Sequence, residues 1–132
     1  MPRPLKQPIN QPEPAQEPSP DLWPLVVEAA QEKKATGIAV LDLRGVTSFT
    51  DFFVICTGSN QRQVQAIVDE IQQRLKHDYN LLPIGTEGYD TAEWVLIDFG
   101  STVVHVFSPA AREYYGLERL WRQAKRTDIP DA

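Results

Sequence analysis

The stretch WVLIDFGSTVVHVF, Trp94 to Phe107, decides how this chain folds. Two runs rich in β-branched and aromatic residues flank a glycine turn signal, the pattern of a buried hairpin. The same run nevertheless carries a tryptophan, an aspartate and a histidine. If Phe99-Gly100 is a two-residue loop, Asp98 faces Ser101 and Trp94 lies directly opposite His105. One face then holds Trp94, Leu96, Val103, His105 and Phe107, and the other Val95, Ile97, Thr102, Val104 and Val106. The second set suits packing under helices, whereas the first mixes aromatic and polar groups as a surface meeting another molecule does. Such a loop asks for an unfavourable positive φ at Phe99. A type I turn with Gly100 in a bulge would instead put Trp94 and His105 on opposite faces. The first register is the expected one.

Working outward, IAVLDL (Ile38 to Leu43) and FFVICT (Phe52 to Thr57) are short, β-branched-rich runs and predict two further strands, apolar at nearly every position and so buried on both faces. Between them and the hairpin, Val64, Ile67, Val68, Ile71 and Leu75 form one helical stripe, opened by Ser59 or Asn60 and ending near Asn80. A short extended piece at Leu81 to Ile84 and a TEGYD loop follow. Upstream, Leu22, Leu25, Val26, Ala29 and Ala30 predict a helix with Asp21 as cap, Pro24 in its first turn and Gly37 as its stop. Downstream, Ser108-Pro109 starts a helix by hydroxyl capping with proline at the first position, and Gly116 breaks or kinks it. The order α-β-β-α-β-β-β-α describes one small α/β domain, a mixed β-sheet layered with helices.

At 132 residues and 42% hydrophobic content the chain supports one core. Its first twenty residues are dominated by proline and glutamine, with too little apolar surface to offset ordering entropy, so residues 1–20 are expected to be a disordered tail. The domain is expected over 21–126, with a flexible C-terminus at 127–132. A net charge of -5 argues against sequence-specific or coating contacts with nucleic acid and favours a protein partner, a basic one fitting best. The lone Cys56 fits a reducing compartment, and the cytoplasm is the expected location. No run approaches the roughly 20 apolar residues that span a bilayer, so no membrane association is expected.

Each polar residue of the hairpin also has a structural explanation. A strand tryptophan is usually core, a strand histidine usually hydrogen-bonded packing, and an aspartate at a turn usually turn chemistry. Enzymatic readings are weaker. Gly58-Ser59, between a strand and a helix, resembles the phosphate-holding element of nucleotidyltransferases, yet no paired carboxylates for a metal follow it. Cys56 lies mid-strand, and no G-x-S-x-G elbow or His spacing suited to a metal occurs. No enzyme activity, cofactor or metal site is expected.

The segment SFTDFFVICTGS (Ser48 to Ser59), the hairpin WVLIDFG with HVF (His105 to Phe107), and the ending REYYGLERLW (Arg112 to Trp121) together resemble the ribosomal silencing factor family, also called Iojap-related. The resemblance covers about Asp21 to Arg122, and the Pro/Gln-rich tail departs from it. It implies a nucleotidyltransferase-like fold without the catalytic carboxylates. It also implies binding to the large ribosomal subunit through its protein fourteen, which sterically blocks the small subunit and represses translation when nutrients are scarce. Partner-binding positions carried over on these motifs are Trp94, Asp98, His105, Asp51, Glu87, Arg112, Tyr114 and Tyr115. Several of these also suit packing: Tyr115, Leu117, Leu120 and Trp121 by docking the last helix, and Arg112 by pairing with Asp51 or Asp98. A self-associating scaffold, including a homodimer of the free chain, remains the alternative outside catalysis.

Overall fold

The structure, a computed structural model, describes residues 21–131. Its elements in chain order are α1 (Trp23–Glu32), β1 (Thr36–Asp42), β2 (Phe52–Thr57), α2 (Gln61–Tyr79), β3 (Gly85–Glu87), β4 (Trp94–Asp98), β5 (Thr102–Phe107), α3 (Pro109–Tyr115), α4 (Leu117–Leu120) and β6 (Lys125–Asp128). The strands form one sheet in the order β3-β4-β5-β2-β1-β6. The β2–β5 pair is parallel and the other pairs are antiparallel, so the sheet is mixed as expected.

Local chemistry explains the helix ends. Asn60 caps α2 by accepting from the Gln63 N–H at 2.8 Å, and Asn80 closes it in the left-handed conformation. Ser108 caps α3 through the Ala111 N–H, and Gly116, with φ of 55°, separates α3 from α4. At α1 the expectation fails. Leu22 occupies the cap position with no side-chain bond, and the helix stops at Lys33 and Lys34, before Gly37 is reached. Gly37 lies inside β1 with φ of 58°, where a Cβ would stand 2.7 Å from the Arg112 guanidinium.

Helices α1 and α2 pack on one face of the sheet, over Ile38, Val40, Val54, Cys56, Val95, Ile97, Val104 and Val106. On the other face α3 and α4 cover only part of the sheet, packing Ala111 and Leu117 with Leu41, Phe53, Ile55 and Phe107. Trp94 and Leu96 sit on this second face, only partly buried. Alternation thus separates the two faces of the hairpin as its sequence implied.

Three further expectations are corrected. The hairpin loop is Gly100-Ser101, closed by the Phe99 N–H donating to Thr102 at 2.9 Å, so Trp94 pairs with Phe107 and Leu96 with His105. Gly100 takes φ of 89° and relieves Phe99 of any positive φ, as a loop with glycine at its first position requires. Because the shift is two residues, the side chains stay on the faces assigned to them. Second, the extended piece before the hairpin is β3 at Gly85–Glu87 and not Leu81 to Ile84. Third, the end of the chain is not a free tail from residue 127. Thr127 and Asp128 pair with Val40 and Ala39 in β6, and the Ile129 N–H donates to Ile38 at 2.8 Å. The unpaired edge of β1 accounts for this pairing, since its backbone donors and acceptors need partners. The expected disordered tail at residues 1–20 lies outside the described residues.

Candidate functional site

The part of the second face left open by α3 and α4 is built around Trp94. Its indole packs 5.1 Å from the Phe107 ring and 4.8 Å from Tyr115, and its Nε1–H donates to His105 Nδ1 at 3.0 Å. Tyr115 in turn meets Tyr114 edge-on at 5.0 Å. His105 meets Phe53 edge-on at 4.5 Å, and Phe53 continues to Trp121 and the exposed Phe49. A ribbon of rings therefore runs across β4, β5 and β2.

His105 forms the floor of this ribbon and not its surface. It is 3% exposed, and burial pulls its pKa down to about 4, so the ring is neutral at physiological pH. Tyr114, by contrast, is 79% exposed and Tyr115 48%. Glu87 pairs with Leu96, and Asp98 with Val103, which puts both carboxylates on the Trp94 face at the β3–β4 side. Asp98 also accepts from the Gly100 N–H at 2.8 Å, so it serves the turn as well as the surface. A cleft of about 260 Å³ lies between Glu87, Gly88, Trp94 and Leu96.

Gly88 was not singled out from the sequence, yet it sets this cleft. With φ of 85°, it lies so close to β4 that a Cβ would stand 2.2 Å from the Trp94 carbonyl oxygen. The only signal available was a glycine in a loop shortly before a strand tryptophan. Phe49, 61% exposed, was also missed, because it falls in the Ser/Thr-rich link before β2, where no periodic pattern assigns a side chain to either face.

Two candidates fall outside the ribbon. Asp51 is exposed at the start of β2, its N–H donating to Ser101 at 3.0 Å. Arg112 lines a separate cleft of about 550 Å³. Its guanidinium binds Glu118 in a fork at 3.2 and 2.7 Å, and also donates to the Gly37 carbonyl and the Thr57 hydroxyl. The salt-bridge partner is thus Glu118, neither Asp51 nor Asp98, and that bond holds the Glu118 carboxyl below its ordinary pKa. Arg112 ties α3 and α4 to β1 and β2.

The half-motif at Gly58-Ser59 is occupied by its own helix. A Cβ at Gly58 would stand 2.9 Å from Val64, and both the N–H and hydroxyl of Ser59 donate to Gln63, at 2.6 and 2.7 Å. The Ser59 donors are therefore held by the first turn of α2, and the Gly58 N–H donates to the Phe107 carbonyl at 2.9 Å. Cys56 is fully buried, and desolvation pushes its thiol up to about 12. Among the described residues, no group of three or more His, Cys, Asp or Glu side chains is placed to share a metal ion, and no helix is long and apolar enough to cross a membrane.

Comparison with known proteins places the whole chain. Residues 16–132 match the family described as ribosomal silencing factor during starvation. The chain is 42% identical to the ribosomal silencing factor of Bacillus subtilis, over 80% of this chain and 88% of that one. To the same factor of Halalkalibacterium halodurans it is 40% identical, over 83% and 92%. A crystal structure from Chromobacterium violaceum superposes with a TM-score of 0.73 at 39% identity, covering 76% of this chain and 82% of its own. Shared over most of its length in both sequence and fold, this chain belongs to the ribosomal silencing factor family.

Proposed function

We propose that the Trp94 face docks on the large ribosomal subunit through its protein fourteen, sterically blocks the small subunit and so represses translation. The observation that carries this is the open half of the sheet, where partly exposed Trp94 and Leu96 are flanked by Tyr114 and Tyr115 on one side and by Glu87 and Asp98 on the other. An aromatic centre with a polar rim is the anatomy of a protein interface, and its two carboxylates favour a basic partner. Trp94, Tyr114 and Tyr115 would make the apolar contacts, with Glu87, Asp98 and Asp51 as rim charges. His105 and Arg112 would act from beneath and beside the face. The protein works in this reading as a cytoplasmic binder, without enzyme activity, cofactor or direct sequence-specific nucleic-acid contact. A second copy of the free chain would meet the same apolar face, so self-association and subunit binding would compete.

The direct test is sedimentation with isolated large subunits and, separately, with assembled ribosomes. Binding is expected to the first and not the second, and Leu96→Arg should abolish it while leaving the protein folded. Equal binding to both, or full binding by a folded Leu96→Arg protein, would refute the proposal.

A further inference from the structure

The two nitrogens of His105 are in unlike situations. An indole N–H can only donate, so the 3.0 Å contact from Trp94 requires a lone pair on His105 Nδ1. In a neutral ring the proton then sits on Nε2. That Nε2 is buried and has no hydrogen-bond partner among the described residues. The neighbours of the imidazole are rings, Phe53 at 4.5 Å and Phe107 at 6.3 Å. A buried N–H without an acceptor is unfavourable, and the other tautomer would set two N–H groups against each other. The fold accepts the orphaned Nε2 and keeps the bond to Trp94.

We propose that His105 is a positioning residue: its Nδ1 lone pair fixes the Trp94 indole in the orientation in which that ring, held against Phe107 and Tyr115, faces a docking partner. The inference rests on the docking role proposed above and adds what makes that surface pre-organised. Without the acceptor, the indole N–H must turn toward water, and the ring leaves its two aromatic neighbours. Ordering it again on binding then weakens the complex.

His105→Leu removes the acceptor at nearly constant volume, and His105→Asn restores one, since its Oδ1 branches from the same atom as Nδ1. Two readouts are needed: protection of the Trp94 indole N–H from hydrogen exchange, assigned with Trp94→Phe, and affinity for isolated large subunits. His105→Leu should lose the protection and weaken binding roughly ten-fold, the scale of one lost hydrogen bond. His105→Asn should recover both to within about three-fold of wild type on the same scale. A folded His105→Leu protein that binds as wild type overturns the positioning role alone. Wild-type protein that does not bind large subunits overturns the docking site beneath it. If His105→Leu does not fold, wild-type nitrogen NMR decides, because a proton on Nδ1 or an unprotected Trp94 indole refutes the inference.

Discussion

Trp94→Ala separates a docking residue from a core residue. In the fold the indole contributes ring contacts to Phe107 and Tyr115 and one hydrogen bond to His105. Two aromatic pairs at about 0.5–1.5 kcal/mol each beyond the area they bury and one neutral hydrogen bond at about 1 kcal/mol set a floor of about 2–4 kcal/mol of stability, to which the apolar area of the half-buried indole adds. A domain of this size holds about 5–15 kcal/mol, so the variant should remain mostly folded at room temperature. At the centre of an interface the same truncation costs about 2–4 kcal/mol of binding, roughly 30- to 1,000-fold in Kd. Urea unfolding should therefore show a lowered midpoint with an unchanged slope, and cosedimentation with large subunits at fixed salt should be nearly lost. The reasoning is refuted if folded Trp94→Ala protein binds within three-fold of wild type. It is equally refuted if stability collapses while the residual folded fraction binds normally.

Three further outcomes are expected. His105 has a folded pKa of about 4 against an ordinary 6.5, so between those values the unfolded chain binds the extra proton and stability rises with pH. The contribution, about 3 kcal/mol at most, is complete above pH 6.5 and lost as pH falls toward 4; urea midpoints of wild type and His105→Asn across that window should converge at low pH. Gly88→Ala should destabilise by more than about 1 kcal/mol through its positive φ and its clash with the Trp94 carbonyl, and should disturb Trp94 fluorescence; a thermal midpoint equal to wild type would contradict this. Magnesium with nucleoside triphosphate should leave the melting temperature unchanged, because the Ser59 N–H and hydroxyl are already held by Gln63; a saturable upward shift would reopen the enzyme reading.

The sequence alone determined those features whose causes lie within a few residues. The Asn60 cap, the apolar stripe of α2 and its close at Asn80 are such features, as are the Ser108-Pro109 helix start and the limits of β2. Period-two alternation was enough to divide the hairpin into a helix-packed face and a Trp94 face, whichever even register was chosen. The register itself was tertiary. Ser101 accepts from both Asp51 and Phe52, so the loop is held by the neighbouring strand as well as by its own turn chemistry. Lys125–Asp128 carries no hydrophobic pattern and is exposed throughout, and it becomes a strand only because β1 presents an open edge. Arg112 reaches Gly37 across 75 positions and Glu118 across six, and residue type alone could not choose among the available carboxylates. Burial decided His105: a strand histidine reads the same whether exposed or enclosed, and only the packing of Phe53, Trp94 and Phe107 makes it a neutral acceptor beneath the surface. Local signals act through the backbone over one or two turns, whereas registers, edges and ion pairs are settled by whichever distant groups the closed core brings within bonding distance.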